Sequence, residues 1–186
     1  MIETRFLFKY AVNPVENYRQ AATTGMKPLP DRRIIQRFVN VWTAAAKGSF
    51  PTWSDLRAYD LGADWNWVYV VDLQQSIGYP HFEFLGSRLA ELADVHLAGG
   101  GEWAISVLDK VADDINAAVD ERGPYARDDA LILEDGRTLL VRCMTAPLTA
   151  ESDEGARAIK KVAGVVSGRI AELSEIAFQP ANDTYE

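Results

Sequence analysis

Three observations predict an α+β fold, one antiparallel sheet with helices on one face. The run Trp67 to Leu73 is almost wholly β-branched or aromatic. An Asp135-Gly136 pair sits between two apolar runs, a strong hairpin signal. The elements follow the order helix, two strands, helices, then three strands, without the alternation that builds parallel sheets.

Each element follows from local pattern. Asn13 to Pro30 mixes Pro14, Gly25, Pro28 and Pro30 with polar residues, which predicts an extended arm over 1–30. Asp31 can cap a helix whose apolar residues Ile34, Phe38, Val41, Trp42 and Ala45 form one stripe, and Gly48 stops it. That stripe is buried either against the domain or against a second copy, so Ile34, Phe38, Val41 and Trp42 are candidate dimer or partner contacts. Phe50 to Asp64 reads as a connector with a short helical turn near Ser54 to Tyr59, which closes a flanking segment over 31–64.

Trp67 to Leu73 is then the central strand of a domain over 65–170, with both faces covered. After a break at Ser76 to Pro80, His81 to Leu85 forms its hairpin partner, with Phe82 and Phe84 expected on one face. Ser87 can cap a short helix over Arg88 to Ala93, with Leu89 and Leu92 inward. Beyond Gly99-Gly100-Gly101, the steps Trp103, Val107, Val111, Ile115 and Val119 predict a helix running to Asp120. Ala130 to Glu134 and Thr138 to Met144 flank the hairpin turn. Ile159, Val162, Val165, Val166 and Ile170 suit a helix face or a strand. Gly164 and Gly168 favour the strand, since each weakens a helix interior by about 1 kcal/mol. Glu151 to Gly155 is the preceding turn, and 171–186 is a tail.

Composition narrows the function classes. A net charge of −8 with no basic patch argues against a nucleic-acid partner. The single cysteine, Cys143, excludes an internal disulfide and multi-thiolate metal sites. Glu3, Arg5 and Lys9 interrupt the first apolar stretch, so it does not read as a signal peptide, and no run approaches the roughly 18 apolar residues of a membrane helix. The expectation is a cytoplasmic protein without membrane insertion.

Several runs resemble the PAS domain family. Phe84-Leu85-Gly86-Ser87-Arg88-Leu89 is similar to its second strand turning into its first small helix. The Asp135-Gly136 hairpin, with Arg142 and Ala146-Pro147-Leu148, is similar to its closing strands. Trp42, Gly48, Phe50-Pro51 and Ser54-Asp55-Leu56 resemble single-PAS regulators of alphaproteobacteria. The resemblance covers roughly residues 29–169. It implies a PAS-like five-stranded antiparallel sheet cradled by helices, preceded by the amphipathic flanking helix. It also implies a signalling or sensory role without catalysis, a small-molecule ligand or a protein partner such as a histidine kinase, and a homodimer built on flanking helices.

The remaining chemistry is sparse. His81 and His96 lack metal-ligand spacing and companions, so no metal site is predicted, and His96 reads as a solvated loop histidine. Cys143 sits on a late strand beside Arg142, away from where flavin-binding PAS members carry their reactive cysteine. A Ser-His-Asp triad lacks a Gly-x-Ser-x-Gly elbow. Asp113-Asp114 and Asp128-Asp129 could serve acid and base chemistry but read as solvated charge. The glycine triplet lacks the Lys and Ser or Thr of a phosphate loop. No cofactor is required by the sequence. The candidate ligand pocket is aromatic with one cation, formed by Trp67, Tyr69, Phe82, Phe84, Trp103 and Arg142, and suits an acidic or planar ligand. The rival readings are a purely structural dimerisation or adaptor domain, and a small α+β enzyme acting on a hydrophobic acid.

Overall fold

The structure, a computed structural model, describes residues 32–99, 105–151 and 158–171. The arm over 1–30, the glycine triplet beyond Gly99, Trp103, most of the Glu151 to Gly155 turn and residues 172–186 lie outside the described residues.

The chain runs through α1 (Arg32–Ala45), α2 (Trp53–Arg57), β1 (Val68–Asp72), β2 (His81–Leu85), α3 (Ser87–Glu91), α4 (Asp109–Asp120), β3 (Tyr125–Ile132), β4 (Thr138–Leu148) and β5 (Lys161–Ile170). The strands form one five-stranded antiparallel sheet in the order β2-β1-β5-β4-β3. This is the α+β, PAS-like architecture expected. The last apolar segment is a strand, β5, and the first and last strands of the described chain meet in the middle of the sheet.

Helices cover both faces, where one was expected, because the flanking helix α1 and α2 pack their apolar stripe on the face opposite α3 and α4. The inner face, carrying Tyr69, Val71, Val141, Cys143, Val162 and Val166, lies under α3 and α4 through Leu89, Val111 and Ile115. The outer face, carrying Val68, Val70, Met144, Ala146, Ala163 and Val165, lies under α1 through Ile34, Ile35 and Phe38, and under α2 through Trp53 and Leu56. The flanking helix and the sheet therefore share one core. Lys47 and Gly48 both turn to positive φ where α1 ends, the conformation glycine adopts at no steric cost.

Side-chain hydrogen bonds mark two helix starts. Thr52 accepts a hydrogen bond from the Asp55 backbone at 3.0 Å while the Asp55 carboxylate accepts one from the Thr52 backbone at 2.9 Å, a reciprocal cap for α2. Thr52→Ala is expected to cost about 0.5–2 kcal/mol in urea unfolding, and a loss near zero would show that tertiary packing alone holds this turn. For α4, the Asp109 carboxylate accepts from both the Ser106 backbone (2.7 Å) and the Ser106 hydroxyl (3.0 Å). The helix therefore starts at Asp109, later than the apolar steps from Trp103 imply. Ser87 likewise is the first helical residue of α3 instead of its cap, and its hydroxyl bonds the Asn66 side chain at 3.1 Å.

The β1–β2 hairpin holds a correction of consequence. Val70 pairs with Phe84 but Val71 pairs with Phe82, so Glu83 is an extra residue opposite that step. A bulge of this kind shifts the pleat by one. Phe82 consequently faces inward against Tyr69, ring centroids 6.1 Å apart, while Phe84 faces outward against Trp53 at 5.5 Å. The two phenylalanines do not share a face.

Candidate functional site

The sheet separates the aromatic pocket expected from the sequence. Tyr69 and Phe82 belong to the inner face, whereas Trp67 and Phe84 pack with the outer cluster. Arg142 has the parity of Met144 on β4 and so belongs to the outer face. There it bonds Asp128, its cross-strand neighbour, through two contacts of 2.5 Å. These residues do not line one cavity, and Trp103 is outside the described residues.

The helix candidates are also placed. Ile34 and Phe38 are buried in the outer cluster, and Val41 and Trp42 pack at its margin. The Trp42 indole donates to the Pro147 carbonyl at 3.0 Å. Ile34 and Phe38 are thus occupied within the chain, so a dimer built on α1 in this position would use other residues.

A different constellation sits beneath α4. Tyr69 pairs across the sheet with Gly164, which pairs with Thr145. With no side chain at Gly164, the Tyr69 ring lies across β5 and its hydroxyl meets the Thr145 hydroxyl on β4 at 2.5 Å. One row further along β4, Arg127 of β3 pairs with Cys143. The Arg127 guanidinium bonds Asp114 of α4 at 2.7 Å and 3.2 Å and reaches Asp129 at 2.5 Å. Asp114 is only 1% exposed. A helix carboxylate, a strand guanidinium, a thiol and two hydroxyls therefore meet on the inner face.

Burial governs the electrostatics here. It raises the Asp114 carboxyl above its ordinary value, with Arg127 offsetting part of the effect. For Arg127 burial opposes the charge, but the hydrogen bonds and charge of Asp114 outweigh it and hold the guanidinium firmly protonated. The Tyr69 phenol and the Cys143 thiol are both pushed well up, first by burial and then by the Asp114 charge. Cys143 is accordingly an inert thiol. A raised carboxyl in the folded state stabilises most below its unfolded value of 3.8 and loses that contribution as pH rises through the folded value. Comparing urea midpoints from pH 3.5 upward, Asp114→Asn is expected to remove this decline; an unchanged pH profile would contradict the assignment.

Sequence reasoning read Asp114 as solvated charge, yet it lies at i+3 from Val111 and i−4 from Ala118, within the apolar stripe of α4. Its neighbour Asp113 is only partly buried, and Asp128 and Asp129 each pair with an arginine. Arg127 also carried a signal, since it alternates with Leu131 on the inward parity of β3. His81 is exposed. His96 is half-buried in a bridge to Ser106, with its Nδ1 buried and lacking a hydrogen-bond partner, so it is not a solvated loop residue. Among the described residues no cluster of His, Cys, Asp and Glu is placed to hold a metal ion, and no helix is long and apolar enough to cross a membrane. No protein-family model matches this sequence, and no curated protein matches it.

Proposed function

We propose that the chain is a cytoplasmic, non-enzymatic PAS-type signalling module that takes a small acidic ligand between α4 and the sheet and passes the change to a protein partner. The observation that carries this reading is the buried Asp114–Arg127 pair. Burying two charges costs desolvation that their attraction roughly repays, so an apolar pair of similar volume would serve stability as well. What the charged pair adds is an exchangeable anion position. A ligand carboxylate that reaches Arg127 replaces Asp114 and uncouples α4 from β3, while the flanking Tyr69, Phe82 and Val111 supply an apolar wall.

The test is a thermal-shift and native-mass screen of small carboxylic acids, each paired with its amide. A ligand at about a hundred times its Kd adds about 2.7 kcal/mol, which for a domain of this size raises Tm by roughly 5–10 °C. At least one acid is expected to shift the wild type, with its amide silent and Arg127→Gln unresponsive. No acid binding, or an equal response in Arg127→Gln, would remove the ligand reading.

A pure adaptor is the second reading. It is favoured by Ile77, 89% exposed, and Tyr79 beside it on the β1–β2 loop, an apolar tip suited to a protein partner such as a histidine kinase. Loss of partner capture in Ile77→Ser, with no acid binding in any screen, would select it.

A further inference from the structure

We infer that the Tyr79–Asp109 hydrogen bond is a latch by which α4 holds or releases the Ile77 tip, so that the Asp114–Arg127 site controls how the β1–β2 loop is presented to a partner. This deepens the ligand reading above and rests on it. Between Asp72 and His81 the loop is braced at its base. The Asp72 carboxylate accepts from the Gln74 backbone at 2.8 Å and from the Gln75 side chain at 3.0 Å. The Ser76 hydroxyl donates to the Asp72 carbonyl at 2.6 Å and accepts from the His81 backbone at 2.9 Å. Ile77, Gly78 and Tyr79 span the gap between these braces. Ile77 is 89% exposed, and Gly78 turns at φ +81° with open space where a side chain would stand. The tip therefore projects from a fixed base.

Tyr79 reaches back from the tip, and its hydroxyl donates to the Asp109 carboxylate at 3.0 Å. Burial, then the bond to Asp109 and its charge, raise the Tyr79 phenol, so it stays a donor. Burial opposes the Asp109 charge, but the Ser106 backbone and hydroxyl and then Tyr79 outweigh it and hold that carboxyl below its ordinary value. The bond is thus a phenol donating to a carboxylate, stronger than a neutral pair. Asp109 is the first residue of α4, and Asp114 lies on the same helix about 7.5 Å further along its axis. A displacement of Asp114 from Arg127 is carried through that helix to Asp109. Hydrogen bonds fail beyond about 3.6 Å, so a sub-ångström shift of the helix start opens the latch. The coupling is reciprocal: whatever factor the acid takes from the tip's affinity for its partner, the partner takes from the acid.

A nitroxide attached at Ile77→Cys in the full chain tests this, since Cys143 is buried and will not take the label. The spectrum of the otherwise unchanged protein is expected to show a slow, ordered component, which Tyr79→Phe removes and Arg127→Gln removes equally. The two substitutions together should add nothing further, as members of one route do. Arg142→Gln, on the opposite face, should leave the ordered component in place. A label as ordered in Tyr79→Phe as in its parent would overturn the latch. Hydrogen exchange of residues 109–120 in Arg127→Gln separates the two ways the route can fail. Helix amides that lose protection while the label stays ordered overturn the inference alone. Helix amides and label that are both unchanged overturn it together with the ligand reading.

Discussion

Arg127→Leu is expected to lower stability by about 3–5 kcal/mol near neutral pH, because it leaves the Asp114 carboxylate under α4 without its cation. The loss should shrink in acid. With Arg127 gone, burial raises the Asp114 carboxyl further, so the penalty grows as pH climbs from the wild-type folded value to the higher folded value of the variant and is constant above it. Adding Asp114→Leu should recover most of the stability, since the pair is then replaced by apolar side chains of similar size. Urea unfolding of the four proteins forms a double-mutant cycle, and the coupling should be among the largest such contacts give. A loss below about 1 kcal/mol that does not vary with pH would mean that Asp129 and solvent already satisfy both groups.

Gly164→Ala is expected to be the most damaging single-methyl change in the sheet. A Cβ there would lie 2.3 Å from the Tyr69 ring and hydroxyl. Tyr69 is fully buried and tied to Thr145, so it cannot swing away cheaply. Overpacking of this kind costs about 1–3 kcal/mol or more. Gly168→Ala on the same strand is the control, because its added methyl would first meet the Leu139 side chain at 3.4 Å and it also stiffens the unfolded chain. Equal midpoints for the two variants would contradict the view that Tyr69 occupies the space above β5.

Much of the fold was legible because it rests on local chemistry. The Trp67 to Leu73 run, the Asp135-Gly136 turn and the glycines of β5 each fix a strand without reference to the rest of the chain. What escaped reading depends on registers that only assembly sets. The Glu83 bulge reverses the pleat, so the pairing of Phe82 with Phe84 on one face could not survive it. Arg142 looked like the pocket cation beside Cys143, but adjacent strand residues point to opposite faces, and the cation beneath α4 is Arg127. The overlong helix from Trp103 came from apolar spacing that continues through the turn held by the Ser106 to Asp109 hydrogen bonds ahead of the helix. Asp114 was the missed clue, a carboxylate on the buried stripe of a helix that needs a partner from the sheet.

The claim that Asp114 and Arg127 couple α4 to the sheet is most directly tested by hydrogen exchange in Arg127→Gln, with Arg142→Gln as the comparison. The account predicts that in Arg127→Gln the amides of residues 109–120 lose protection while those of β4 and β5 keep theirs, and that Arg142→Gln leaves the helix protected. Unchanged protection of α4 in Arg127→Gln, or simultaneous opening of α4 and the central strands, would contradict it.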